Sequence, residues 1–161
     1  MLIGFDPIIA DAPRVLILGS MPSVTSLEKQ EYYGYRHNRF WMIMRACFDM
    51  PIENYAQKQK IIRSHHLILW DVIHACEREG SLDSSIRKEV VNPIDVLVDT
   101  YPTLHTVICN GKKSESLYQK HFSALPLRQI YLPSTSNANR TIKEEALFQQ
   151  WITALRESLA E

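Results

Sequence analysis

Cysteine is scarce and unpaired in this sequence: Cys47, Cys76 and Cys109 are odd in number, far apart and form no CxxC pair. That pattern excludes a disulfide framework, a structural zinc ribbon and a four-cysteine iron–sulfur cluster. No apolar run approaches the roughly 18 residues a membrane-spanning helix needs, so no membrane partner is expected. The opening MLIGFDPIIADAPR lacks a basic segment followed by a long apolar stretch. A secretory leader is therefore not expected, and a cytoplasmic location is. Net charge is missing too, since 18 basic side chains balance 18 acidic ones and total charge announces no polyanion. There is no repeat, low-complexity stretch or linker, which predicts one domain over residues 1–161; a monomer is expected. What remains is ordinary globular material: 161 residues, 45% hydrophobic and 22% charged, enough to bury a core.

The charge is balanced but not evenly spread. Between His105 and Lys143 stand Lys112, Lys113, Lys120, Arg128, Arg140 and Lys143 against a single acid, Glu115. Such a bias can track a polyanion, and it is equally what a solvated face carries. The apolar run Arg14 to Leu18 reads as a buried strand, and His66 to Trp70, Thr106 to Cys109 and Arg128 to Leu132 are three further strand candidates. Phe40, Ile43, Met44, Cys47 and Phe48 share one helical face that ends before Pro51. Further helices are predicted around Glu53 to Ser64, from Asn92-Pro93 to near Tyr101, and over Lys113 to Phe122. The last carries a stripe of Leu147, Trp151, Leu155 and Leu159, opened by a capping box of Thr141 and Glu144.

Strands alternating with helices predict a single three-layer α/β/α domain around a short, mostly parallel four-stranded sheet. In such sheets ligands bind beyond the carboxyl ends of the strands. The segments to inspect are therefore Gly19 to Asn38, Asp71 to Ile86, Asn110 to Lys112, and Pro133 to Arg140. The first begins Gly19-Ser20-Met21-Pro22-Ser23, where a glycine lets backbone N–H groups approach an oxygen and two serines add hydroxyls; a plain strand-to-loop turn reads the same way. Asn38 precedes a helix, where it can cap the first turn or hold a water at the lip of a pocket. Tyr32, Tyr33 and Tyr35 are a poor core pattern, and suit either a stacking surface for an unstacked base or an aromatic loop over the core. Pro133 to Arg140 is rich in short hydroxyl and amide side chains with N–H groups that suit phosphate oxygens, or a turn ending in a cap. Arg78 to Ile86 receives no assignment.

No one of these stretches is decisive. Their order is: Leu18 to Ser23 (LGSMPS), Tyr32 to Trp41 with its Asn-Arg-Phe-Trp, Leu69 to Val72 (LWDV), Asn110 to Lys112 (NGK) and Leu132 to Ser136 (LPSTS). Together they resemble the uracil-DNA glycosylase superfamily, and within it the hypoxanthine (deoxyinosine) DNA glycosylase branch, from Arg14 through the final helix. Asn-Arg-Phe-Trp is also similar to the mismatch-specific uracil/thymine glycosylases. The resemblance implies a monofunctional DNA glycosylase of base-excision repair, with DNA carrying a deaminated base as partner and with neither metal nor cofactor. It implies water orientation by Asn38, because the position two residues after the first-loop glycine, where most members carry Asp or Asn, is Met21. Gly19, Ser20 and Met21 would line the base site, Tyr33 would stack on the base, and Asp71 and Asn110 would bond its edge. Ser20 and Ser23 would meet phosphates, together with Lys112, Arg140 and the Pro133, Ser134, Thr135, Ser136, Asn137 loop that grips the duplex. Two departures concern that loop: Leu132 stands where the uracil enzymes commonly have His, and Asn137 where the hypoxanthine branch has Pro.

Three other readings fit parts of the chain. A serine hydrolase would join Ser20 to His65, His66 or His74 and Asp71, although GxSxG is missing. A metal site from His65, His66, Asp71 and His74 conflicts with adjacent strand residues pointing to opposite faces. A non-catalytic nucleic-acid-binding module of the same fold would bind DNA without releasing a base.

Overall fold

The computed structural model describes residues 1–161. Its centre is a five-stranded sheet built from β2 (Ile8–Ile9), β3 (Val15–Gly19), β4 (Leu67–Asp71), β7 (Thr106–Asn110) and β8 (Arg128–Leu132). Their order is β2-β4-β3-β7-β8, parallel throughout except for β2, which pairs antiparallel with β4. All four strands predicted from apolar runs are present, and the sheet has five strands rather than four. The extra one is a two-residue edge strand, too short to leave a periodic signal. A second, antiparallel sheet joins β1 (Leu2–Ile3), β5 (Ile73–Glu77) and β6 (Arg87–Val91) in the order β1-β5-β6. It was not foreseen.

Every residue of β3, β4 and β7 is buried, as strands covered on both faces must be. Strand alternation sorts their side chains into two cores. Val15, Ile17, Leu67, Leu69 and Ile108 face α2 (Phe40–Phe48), α3 (Tyr55–Ser64) and α6 (Glu144–Ala160). Leu16, Leu18, Ile68, Val107 and Cys109 face α4 (Ile94–Thr100), α5 (Lys112–Phe122) and the small sheet. The result is the three-layer α/β/α arrangement.

Two local expectations fail for identifiable reasons. The loop after β3 contains a short helix, α1 (Val24–Lys29), capped by Ser23, whose Oγ accepts the Ser26 N–H at 3.1 Å. The capping box on α6 does not form. The helix starts at Glu144 with Lys143 at the cap position, two residues too late for Thr141 to cap it, and the Thr141 hydroxyl instead donates to Asn139 Oδ1 at 2.6 Å.

Candidate active site

The carboxyl ends of β3, β4, β7 and β8 open onto one cavity of about 950 Å³. Its floor is Gly19, Asp71 and Asn110, and its walls are the loops that follow them. Gly19 is needed here because a methyl at its Cα would overlap Asp71 Oδ1 and sit 2.7 Å from the Tyr33 hydroxyl. Gly111, at φ +90, makes the turn into α5 with Ser134 packed 3.1 Å from where a Cβ would stand.

The three tyrosines have three different fates. Tyr32 is a core residue, its hydroxyl donating to Asp6 O at 2.8 Å and its carbonyl accepting from Trp41 Nε1 at 2.7 Å. Tyr35 lies exposed at the rim, edge-on to His37. Tyr33 forms the wall. Its ring stacks on Phe40 with centroids 4.2 Å apart, and it lines the cavity. Its backbone is held at φ +51, costly for a bulky residue and sustained here by packing.

Asn38 sits at the cavity lip, just ahead of α2. Its Oδ1 accepts the Phe40 N–H at 2.9 Å and the Thr135 hydroxyl at 2.9 Å. Both lone pairs are thereby used, and the side chain presents its Nδ2 donors. Thr135 is the hub of this arrangement. Almost wholly buried, it receives Asn110 Nδ2 on Oγ1 at 3.1 Å and donates its N–H to Asn110 Oδ1 at 3.0 Å. Asn110 Nδ2 also reaches the Tyr33 hydroxyl at 3.1 Å. Arg39 fastens the same loop by its carbonyls, with Nε to Thr135 O at 3.2 Å and Nη2 to Ser136 O at 2.6 Å.

These bonds revise several expectations. Thr135 cannot face a phosphate, because it is buried and its polar groups are spent inside. The Ser23 hydroxyl caps α1 and donates to Ser26 Oγ at 3.2 Å, and the Ser20 hydroxyl donates to Asp83 Oδ1 at 2.8 Å, which leaves neither a free proton for DNA. The fourth loop's N–H groups are also largely taken: that of Ser136 by Ser134 Oγ, that of Ala138 by Ser136 Oγ. What it offers outward is the hydroxyl hydrogens of Ser134 and Ser136 and the Asn137 side chain. Asn137 and Arg140 also line an adjoining groove with His37 and Arg39. Lys112 is exposed at the start of α5, on the cavity border, while Met21 is buried and closes the cavity from the core side.

Sequence reasoning missed Thr135 as a strut and Arg39 as a clamp, and it marked the segment that holds Arg78 and Asp83 without giving either a role. The last two stand on the β5–β6 connection, which folds back over the first loop. Ser81 Oγ receives the Val24 N–H there at 3.0 Å, and Arg78 Nη2 bonds Pro22 O. No local pattern marks them. The hydrolase triad is not assembled, since His65 and His66 lie at the opposite end of β4 from Asp71, His74 is exposed on β5 and does not line the cavity, and Ser20 is paired with Asp83. No three His, Cys, Asp or Glu side chains converge as a metal-binding group.

A family model described as the uracil DNA glycosylase superfamily matches residues 7–156. The chain belongs to that superfamily. Two relatives carry the name hypoxanthine DNA glycosylase: one from Methanosarcina barkeri at 37% identity and one from Methanosarcina acetivorans at 35%. Each aligns over 139 residues, 85% of this chain and 87% of the relative. A solution NMR structure of a candidate uracil DNA glycosylase from Methanosarcina acetivorans superposes with a TM-score of 0.85 at 32% identity, covering 98% of both chains. The molecule is a DNA glycosylase.

The Thr135 hub allows a direct check. Thr135→Val keeps the shape but strips the partner shared by Asn38 and Asn110, and leaving such groups short of a bond costs about 1–3 kcal/mol. Base release is expected to slow by roughly 5- to 150-fold, while Thr135→Ser retains most of the rate. Equal single-turnover rates for Thr135→Val and the unchanged enzyme would remove the hub from the mechanism.

Proposed function

We propose that this glycosylase extrudes a deaminated base from DNA, hypoxanthine first, and hydrolyses its glycosidic bond to leave an abasic site. The observation that carries the reading is the convergence of Asn38, Tyr33, Asp71 and Asn110, from four separate segments, on one cavity. Hypoxanthine is favoured by the names of the two Methanosarcina relatives. The chain acts as a single-domain monomer over residues 1–161.

Chemistry on a stacked base requires taking it out of the helix, which costs a few kcal/mol and least for a mispaired base. The flipped base slides against the Tyr33 ring, a contact worth about 1–3 kcal/mol. Ser134, Ser136, Asn137, Lys112 and Arg140 meet the backbone around it, with the Pro133 carbonyl held down by Trp151 Nε1 at 2.9 Å. Base loss passes through an oxocarbenium-like sugar, electrophilic enough to be attacked by water without a strong base. Asn38 suits that requirement. Its Nδ2 holds the water by its oxygen, and with Oδ1 already occupied it places the water rather than deprotonating it. Asn110 contributes to the pocket chiefly through rigidity, because its amide is tied to Thr135 and Tyr33.

The test is base release from matched labelled duplexes carrying one hypoxanthine, uracil, xanthine or adenine, in EDTA. Hypoxanthine is expected to leave an alkali-labile site, with no covalent adduct trapped by borohydride. Release of uracil alone would reassign the substrate. No release of any base, with DNA still retained, would favour the non-catalytic binding module.

A further inference from the structure

We propose that Asp71 is the general acid that delivers a proton to the departing base, with Asp83 and Arg78 of the β5–β6 connection as the groups that keep it protonated or release it. The proposal rests on the glycosylase reading and adds to it a catalytic role and its control.

Asp71 ends β4 on the cavity floor and is only 4% exposed. Its Oδ2 is buried with no hydrogen-bond partner, while Oδ1 lies over Gly19 beside the Tyr33 hydroxyl. A buried carboxyl oxygen without a partner, on a side chain that borders the cavity, asks for an explanation, and a bonded ligand is one. The charged neighbours come from one element. Asp83 reaches the site through its 2.8 Å bond from Ser20, and Arg78 is anchored on Pro22 O with its Nε and Nη1 buried and unpartnered. Neither arginine nitrogen forms an ion pair with Asp71. Tyrosines also adjoin it, Tyr33 nearest and Tyr32 and Tyr55 behind, all kept neutral by burial, and Lys112, Lys113 and Glu115 line the same cavity.

The two carboxyls are pushed apart in character. Burial, then the negative charge of Asp83, and against them Arg78, bring Asp71 up to about 7. Asp83 is also raised by burial, but the Ser20 hydroxyl bond and the charges of Arg78 and Lys113 favour its ionised form. Paired carboxyls in unlike surroundings are a recurrent source of acid and base roles at neutral pH. Both line the cavity, and Asp71 is the one without a hydroxyl bond or a lysine charge to favour its ionised form.

The step balances without a further reactant. The bond from C1′ to the purine nitrogen breaks and its electron pair enters the base, while the Asp71 O–H proton passes to a ring nitrogen. The water held by Asn38 bonds to C1′ and gives up a proton through solvent, which restores Asp71. A positioned general acid contributes about 10²–10⁴-fold.

The test is single-turnover release of hypoxanthine from about pH 5.5 to about pH 9, with the Asp71 carboxyl titrated in the same proteins by carbon-13 NMR. The rate of the unchanged enzyme is expected to fall as pH rises through the Asp71 midpoint. Asp71→Asn, which is nearly isosteric, should lose at least about 10²-fold on the acid side and flatten the profile. Asp83→Asn removes the repelling charge, so both the kinetic limb and the NMR midpoint should move to lower pH while the acid plateau survives. An Asp71→Asn rate within about threefold of the unchanged enzyme, or a profile that rises with pH, would overturn the proposal. So would an NMR midpoint indifferent to Asp83→Asn. No release by the unchanged enzyme would bring down the glycosylase reading itself, and this proposal with it.

Discussion

Asn38→Ala is expected to lose roughly 10²–10³ of the single-turnover rate, the scale seen when one oriented polar group is removed from a transition state. Duplex binding should survive, because Asn38 contributes no contact that grips the backbone. The loss has two parts. The variant no longer holds the attacking water, and it leaves the Phe40 N–H and the Thr135 hydroxyl without the oxygen they share. Asn38→Asp separates these parts: it restores an acceptor for both donors but offers no N–H to the water. A substantial deficit in Asn38→Asp would support placement by Nδ2, and a full rate would mean that an acceptor is what the water needs. An unchanged rate for Asn38→Ala would sink its assigned role.

Trp151→Ala is expected to destabilise the fold by about 3–5 kcal/mol, the range for truncating a fully buried aromatic. For a chain of this size that corresponds to a fall in Tm on the order of 10 °C. The indole is completely buried, sits edge-on to Phe40 with centroids 6.1 Å apart, and so couples α6 to α2 under the active-site wall. Its N–H also fixes the Pro133 carbonyl at the start of the fourth loop. Trp151→Phe should therefore recover much of the stability but not the anchor, and slow base release more than its Tm suggests. Thermal unfolding within about 2 °C of the unchanged protein for Trp151→Ala would contradict this account of the core.

How much was legible varies by element. β3, β4 and β7 announced themselves because strands buried on both faces are written as mostly apolar runs, while the half-buried edge strand β8 showed only in Ile130, Tyr131 and Leu132. β5 did not. It follows β4 with only Val72 between them, inside the segment from Asp71 that was read as lying beyond the strand, and its pairing with β1 and β6 is what makes it a strand. β6 is mostly polar, its Arg87, Lys88 and Val90 exposed on a small sheet with one wet face.

The sequence by itself determined where the four parallel strands end, and hence that Gly19, Asn38, Asp71, Asn110 and the Pro133 to Arg140 loop gather at one edge. Each rests on a short stretch of neighbouring residues: an apolar run, a glycine, a polar loop. Only the tertiary structure decided what each polar group is free to do. Thr135 meets Asn38 across 97 residues and Asn110 across 25, and Ser20 meets Asp83 across 63. A hydrogen bond is settled within a few tenths of an ångström. Which donors are already spent, and which buried carboxyl is left without a partner, therefore depends on how separate loops pack together, and no local pattern in the chain records it.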